Sequence, residues 1–150
     1  MNMDDMIEII KFAIERELEA AEFYRNLQEK VNTQSSKEML TTFEKMELGH
    51  ADILKNLDLN KMELYKPEKV TNLKLSDYMV EPAVHGEMTF QDILVLAMKR
   101  EEAANKMYID LANNSADDSM KNLFLKLATE EAKHKLQLET IYDEEINYEF

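Results

Sequence analysis

The sequence contains no cysteine, and only 2 glycines and 2 prolines interrupt its 150 residues. The lack of cysteine excludes disulfides, iron–sulfur clusters, thiolate zinc sites and thiol catalysis. Breakers of regular structure are scarce, while 45% of the residues are apolar and 33% are charged. The composition therefore favours long helices in a single domain, residues 1–150.

Two further absences bear on location and partners. No apolar run is as long as a membrane span, and the first residues lack the basic and apolar regions of a secretory signal, so we expect a cytoplasmic protein. The net charge of −13 argues against nucleic acid or anionic membrane as a partner, because both are negatively charged. The charge would attract cations, although an acidic surface that keeps the protein soluble is the simpler explanation.

Apolar residues recur at helical spacing in four stretches, which predicts helices at about residues 3–31, 36–58, 90–113 and 116–143. The links after the first and third helices are short, so each flanking pair should form an antiparallel hairpin. The crossover at about residues 59–88 contains both prolines and has no sustained period. About 30 residues can span a helix roughly 40 Å long. We therefore expect an all-α four-helix bundle of two hairpins joined by a long crossover.

Hydroxyl side chains near three predicted helix starts can accept hydrogen bonds from the free backbone amides there. Ser35, Thr89 and Ser115 are the predicted capping residues, and an acidic residue follows each of them three positions later. These signals predict where the second, third and fourth helices begin.

The two hairpins are related in sequence. Residues 12–50 align without a gap onto residues 96–134 with ten identities. The identical pairs are Ala13/Ala97, Arg16/Arg100, Glu17/Glu101, Ala20/Ala104, Tyr24/Tyr108, Leu27/Leu111, Ser35/Ser119, Lys37/Lys121, Glu47/Glu131 and His50/His134. Alanine and leucine matches are common between helices, but matching Glu, Tyr and Glu-x-x-His residues at the same spacing are not. Each hairpin therefore supplies half of a shared arrangement.

Six polar residues of this repeat fall on the apolar stripes of the helices, where they must point into the bundle. They are Glu17, Glu47, His50, Glu101, Glu131 and His134. Folding each hairpin at its link brings them level at mid-bundle. Four buried carboxylates would repel one another and lose their hydration, at a cost of several kcal/mol for each uncompensated ion. Two divalent cations would balance the four charges, and carboxylate with imidazole is a ligand set suited to iron or manganese.

The alternative is an unusual polar core without metal. An isolated Glu-x-x-His on a helix is common and usually solvated, and a single buried histidine is more often hydrogen-bonded in a core than a ligand. Here two of the 3 histidines occur in this motif, and each motif begins 30 residues after a glutamate on an apolar stripe. Because charged side chains are rarely buried without partners, the repeat favours metal binding.

The residues around these six have weaker signals. Tyr24 and Tyr108 lie two turns beyond Glu17 and Glu101, where a phenol could hydrogen-bond and orient a ligating carboxylate; core packing explains them equally well. His85, in the crossover, is expected to be an ordinary loop residue. Four charged residues beside the candidate ligands are expected to face solvent or to form surface pairs: Arg16, Arg100, Glu102 and Glu130.

The motifs resemble the rubrerythrin-like branch of the ferritin superfamily over about residues 5–57 and 89–143. The matching motifs are Glu17-x-x-Ala20-x-x-x-Tyr24, Glu47-x-x-His50, Glu101-x-x-Ala104-x-x-x-Tyr108 and Glu131-x-x-His134. The resemblance implies a ferritin-like bundle that holds two iron ions and reduces hydrogen peroxide or dioxygen while cycling between diferrous and diferric states. It also implies that two glutamates bridge the metals, Glu47 and Glu131, and that one Glu–His pair completes each metal, Glu17 with His50 and Glu101 with His134.

Two departures from that family bear on activity. Typical rubrerythrins carry a rubredoxin domain whose iron is held by four cysteines, whereas this chain has none. Electrons would therefore come from ferrous iron or from a separate donor such as a rubredoxin. Rubrerythrins also commonly have a glutamate three residues after the third-helix ligand, where this chain has Ala104. The ligand set is therefore more like the symmetric ferroxidase centre of bacterioferritins.

The leading hypothesis is a di-iron oxidoreductase that reduces hydrogen peroxide or dioxygen. One alternative is ferroxidase activity serving iron binding or storage, although no fifth helix like that of many ferritins is expected near Phe150. The other is a metal-stabilised interaction module without turnover. Manganese, or a mixed pair of metals, is also compatible with the ligand types. A homodimer formed through a remaining apolar face is expected.

Overall fold

The protein is described here by a computed structural model that places residues 3–57, 78–80 and 88–149, with side chains for residues 7–57, 78–80 and 88–145. Four helices account for most of these residues, and the described part of the chain has no strand. They are α1 (Met3–Leu27), α2 (Gln34–Lys55), α3 (Phe90–Asn113) and α4 (Asp118–Glu149). The helix α1 packs along α2 and α3 packs along α4, while α2 also contacts α4. The all-α bundle of two hairpins is confirmed.

Hydroxyl and carboxylate side chains begin three of the helices, as expected from their need to satisfy free amides. Thr33 accepts a hydrogen bond from the Ser36 amide and caps α2. Thr89 and Asp92 form a reciprocal capping box at α3, as predicted. At α4, the Asp117 carboxylate accepts from the Met120 amide at 2.9 Å.

The predicted caps at Ser35 and Ser115 are wrong. The hydroxyl of Ser35 contacts Glu144 at 2.9 Å, and that of Ser115 donates to the carbonyl oxygen of Leu111. The observed caps lie two residues away in each case. Thr33 and Asp117 occupy equivalent positions of the repeat, so the two hairpins turn at the same place in their sequences.

Two helix ends differ from the prediction. The helix α1 ends at Leu27 rather than near residue 31, and α4 extends to Glu149 rather than ending near residue 143. The added length of α4 carries Glu145, whose carboxylate accepts hydrogen bonds from the amides of Asn32 and Thr33 at 3.0–3.2 Å. This buried carboxylate satisfies amides of the first link and holds the chain in a turn before α2.

The apolar core consists of two clusters at opposite ends of the bundle. One cluster packs the beginning of α1 and α4 against the end of α2 and α3, with Ala13, Leu54 and Phe124 among its members. The other packs the opposite helix ends and includes Phe43 and Leu138. Between them, the helices place a layer of buried polar side chains. None of the described helices combines the length and the apolar character that a membrane span requires.

Candidate metal centre

The polar layer contains all six residues that the sequence repeat predicts as metal ligands. Each of the six side chains is at most 3% exposed: Glu17, Glu47, His50, Glu101, Glu131 and His134. They come from all four helices, because α1 and α3 each contribute one glutamate while α2 and α4 each contribute a Glu-x-x-His pair. The i, i+3 spacing places both members of each pair on one helix face.

The ligand atoms of these side chains form two overlapping groups, and within each group all atoms lie within 4.8 Å of one another. The first group is Glu17, Glu47, His50 and Glu131, and the second is Glu47, Glu101, Glu131 and His134. Two glutamates belong to both groups. Each group could hold a metal ion, and shared carboxylates are the geometry that two bridged ions need.

The imidazoles face the glutamates of the opposite hairpin. The His50 Nδ1 lies 2.8 Å from Glu131 Oε1, and the His134 Nδ1 lies 2.8 Å from Glu47 Oε1. Neither contact has hydrogen-bonding geometry. These four atoms and two further carboxylate oxygens make no hydrogen bond, so the centre has six buried, unpartnered atoms: Glu17 Oε2, Glu47 Oε1, His50 Nδ1, Glu101 Oε2, Glu131 Oε1 and His134 Nδ1.

These six atoms test whether the site suits a metal. A buried polar atom without a partner costs about 1–3 kcal/mol, and more if it is charged, so native structures rarely leave several together. All six belong to the atom types that coordinate iron or manganese, namely carboxylate oxygen and imidazole nitrogen. The arrangement therefore fits a pair of cations.

Two tyrosines connect the hairpins at the site. The Tyr24 hydroxyl donates a hydrogen bond to Glu101 Oε1, and the Tyr108 hydroxyl donates to Glu17 Oε1. Each phenol therefore contacts the glutamate of the other hairpin rather than the one on its own helix. Because one oxygen of each carboxylate is held by a phenol, the other oxygen is left directed toward the centre without a partner.

Burial and mutual repulsion dominate the acid–base behaviour of three carboxyl groups in the metal-free protein. Desolvation and the charge of Glu17 raise the pKa of Glu131 to about 8. Desolvation and the charge of Glu131 also raise the pKa values of Glu47 and Glu101 well above the ordinary range. Without metal, the centre therefore retains protons near neutral pH, and cation binding should release them.

The fourth carboxylate and the imidazoles form an asymmetric arrangement. Burial acts to raise the pKa of Glu17, but the close contact with His50 outweighs it, so the pKa is lowered. Burial acts to lower the pKa of His50, but the contacts with Glu17 and Glu130 raise it. Burial and the nearby His50 lower the pKa of His134 to about 4. The two imidazoles therefore differ in the metal-free protein: His50 lies 3.4 Å from Glu17 and its pKa is raised, whereas the pKa of His134 is lowered.

A cavity of about 70 Å³ reaches the centre between α1 and α3. Ala20 and Ala104, at equivalent positions of the repeat, line it together with the partly exposed Arg16 and Arg100. Its lining also includes four buried residues of the centre: Glu17, Glu47, Glu101 and Glu131. Because partly exposed and fully buried residues share one cavity, small molecules can approach the carboxylates on this side.

Three residues around the centre were missed or misjudged from the sequence. Glu130 was expected to face solvent or to form a surface pair, but it is partly buried and contacts His50 Nε2. Met46 places its sulfur 3.4 Å from His134 Nε2. Tyr78, in the crossover, is 4% exposed, lines the cavity and donates to Asp110. Glu130 and Met46 each directly precede a Glu-x-x-His motif, at equivalent positions of the repeat. This position in the sequence could have indicated that both lie near the histidines.

The other neighbouring charges lie on the surface or pack on aromatic rings. Arg16 pairs with Glu19 at 2.9 Å, and Glu102 lies 3.5 Å from Lys135. The guanidinium of Arg100 lies over the ring of Phe23. The prediction for His85 lies outside the described residues.

Comparisons with protein-family models, with curated proteins and with solved structures gave no match.

Proposed function

We propose that this protein is a ferritin-like di-iron oxidoreductase that reduces hydrogen peroxide or dioxygen, as the rubrerythrin-like motifs imply. Ferrous iron or a separate donor would supply the electrons. The supporting observation is the convergence of six buried, unpartnered ligand atoms in two groups that share Glu47 and Glu131. Glu17 with His50 would complete one metal position, and Glu101 with His134 the other.

The ligand set is compatible with iron, and the rubrerythrin-like motifs are the reason to propose iron rather than manganese. Four carboxylates neutralise two divalent ions and have enough negative charge to favour the ferric state as well. Two imidazoles complete a set of the kind used in di-iron and di-manganese carboxylate bundles. When bound, a pair of ferrous ions supplies the electrons for a two-electron reduction and polarises the O–O bond.

The protein's own residues would position the ligands. The phenols of Tyr24 and Tyr108 fix one oxygen of each terminal glutamate. Burial and the nearby carboxylates raise the pKa values of both phenols well above 10, so these groups remain hydrogen-bond donors throughout the working pH range. Fixed donors of this kind hold ligands in place and strengthen metal binding.

The cavity supports a small oxidant. A volume of about 70 Å³ accommodates a few water-sized molecules, which suits dioxygen or hydrogen peroxide. Reduction of hydrogen peroxide to two water molecules consumes two electrons and two protons. The cavity connects the carboxylates to partly exposed residues, so protons and water can exchange there.

Ferroxidase activity is the second candidate, and Ala104 is the observation that favours it. This residue lines the cavity where rubrerythrins commonly place an additional glutamate. Without that carboxylate, the two metal positions have matching ligand types, as in a symmetric ferroxidase centre. Ferrous iron would then be the substrate, and dioxygen or peroxide the oxidant.

The test is anaerobic loading with ferrous iron, followed by measurement of peroxide and dioxygen consumption with an added reductant. Wild-type protein should complete repeated cycles, whereas Glu47→Ala and Glu131→Ala should abolish turnover and retain helix content by circular dichroism. The matched control is Glu139→Ala, which removes an exposed carboxylate from the same helix as Glu131.

The outcomes separate the candidates. Repeated cycles lost in both ligand variants but kept in the control support the oxidoreductase. A single cycle followed by retention of many iron ions per chain supports the ferroxidase and storage alternative. Normal turnover in both ligand variants contradicts any role for the two shared glutamates.

A further inference from the structure

The two candidate metal positions differ in what lies behind their imidazoles. Both histidines direct Nδ1 toward the centre, so Nε2 faces away from it. The His50 Nε2 contacts the carboxylate of Glu130, whereas the His134 Nε2 faces the thioether of Met46 at 3.4 Å. Met46 and Glu130 are equivalent positions of the repeat, each directly before a shared glutamate. The backbone arrangement is therefore repeated, but the chemistry is not.

We propose, resting on the proposed metal centre, that the two positions are inequivalent and that the position of His50 binds its ion more tightly than that of His134. Glu130 and Met46 are not metal ligands. They would cause this difference in affinity as positioning residues, each through the imidazole that it contacts.

A carboxylate behind an imidazole strengthens it as a metal ligand in two ways. It fixes the proton on Nε2, which leaves the Nδ1 lone pair available to the metal, and it adds electron density to the ring. A thioether sulfur is only a weak acceptor, so Met46 provides little of either effect. Glu130 is also only 23% exposed, so solvent screens its charge incompletely.

The surroundings of His134 add to the difference between the two imidazoles as metal ligands. Its ring lies 4.5 Å from the ring of Phe43, centroid to centroid, and also contacts Tyr24 edge-on. The residue equivalent to Phe43 in the other hairpin is Leu127. His134 therefore lies in an aromatic and thioether environment, whereas His50 has an anionic partner.

The remaining polar contacts are close to symmetric and do not offset this difference. Each terminal glutamate accepts from a tyrosine of the other hairpin, and each imidazole Nδ1 lies 2.8 Å from a shared glutamate. Carboxylates behind metal-binding histidines typically change metal affinity by about 10- to 100-fold. We expect a separation of this size between the two binding steps.

The test is a titration of the metal-free full chain with Co²⁺, followed by calorimetry and by the visible absorption of the bound ion. Wild-type protein should bind in two steps separated by about 10- to 100-fold. Met46→Glu should tighten the weaker step and bring the two together, while Glu130→Met should weaken the tighter step. The two variants act in opposite directions, so a general loss of structure cannot imitate both.

Matched controls separate position from charge. Leu48→Glu adds one carboxylate to α2 at a side chain that is 43% exposed, and Glu139→Met removes one from the exposed face of α4. Both controls should leave the two steps unchanged. Circular dichroism of each variant checks that the helices are retained.

Two tight steps of equal affinity in wild-type protein would overturn the inequivalence while leaving the metal centre intact. A change in the tighter step with Met46→Glu, or the same shift with Leu48→Glu, would also overturn it. Failure of wild-type protein to bind Co²⁺ would contradict the metal centre itself, and the inference with it.

Discussion

Replacement of Glu131 by glutamine should stabilise the metal-free protein at alkaline pH and abolish tight metal binding. A buried carboxyl whose pKa is raised binds its proton more tightly in the folded state than in the unfolded state. Its contribution to stability is therefore greatest below the unfolded pKa of 4.5 and is lost as pH rises through the folded pKa of about 8. Glutamine has no proton to lose there.

The magnitude follows from linkage. Between the two pKa values, one such group lowers the free energy of unfolding by about 1.4 kcal/mol for each pH unit. From pH 6 to pH 8, with the curve flattening near the folded pKa, Glu131 should lower it by about 2 kcal/mol relative to Glu131→Gln. Loss of the Glu131 charge also relieves the repulsion that raises the pKa values of Glu47 and Glu101. The free energy of unfolding of Glu131→Gln should therefore exceed that of wild-type protein at pH 8 by at least this amount, relative to pH 6.

The assay is urea unfolding of chelator-treated protein at several pH values, with Glu139→Gln as the control. Added Mn²⁺ or anaerobic Fe²⁺ should restore wild-type stability at pH 8, by about 2.7 kcal/mol for each site when free metal is 100 times its Kd, but not that of the variant. Equal pH dependence in both proteins, or destabilisation of Glu131→Gln at pH 8, would refute the reasoning.

Three other changes probe the surroundings of the centre. Tyr108→Phe removes the donor to Glu17 and should weaken metal binding by about tenfold or more, measured by Co²⁺ titration; unchanged affinity would exclude a positioning role. Ala104→Leu should fill part of the cavity and slow peroxide reduction severalfold at unchanged metal content. The control, Ala103→Leu, should leave the rate unchanged, since Ala103 does not line this cavity. An undiminished rate in Ala104→Leu would place oxidant entry elsewhere. Glu145→Ala should cost about 1–3 kcal/mol of unfolding free energy and leave metal stoichiometry intact, because its partners lie in the first link; lost metal would contradict that separation.

The helices and the polar layer were predictable because both follow from local periodicity. A glutamate on an apolar stripe has no solvent-facing alternative once the helix packs, so Glu17 and its repeat partner Glu101 had to point inward. The i, i+3 spacing of each Glu-x-x-His pair likewise determined which face it shares. The hairpin links then brought all four helices to the same level.

The features that could not be predicted depend on contacts between hairpins. Nothing along α1 indicates that Tyr24 reaches Glu101 rather than Glu17, since the choice depends on how α1 and α3 face each other. The amides of Asn32 and Thr33 in the first link are satisfied by Glu145, more than 100 residues away in sequence. A glutamate such as Glu130 is expected at the surface, and only the structure shows that it contacts His50.

The measurement that tests the central claim most directly is the number of iron ions retained per chain after ferrous loading, aerobic oxidation and removal of loosely bound metal. A discrete dinuclear centre predicts about two ions per chain, reduced to fewer than one in Glu131→Gln. Retention of no iron, together with no manganese in a parallel sample, would contradict the account and leave the six buried side chains as a polar core without metal.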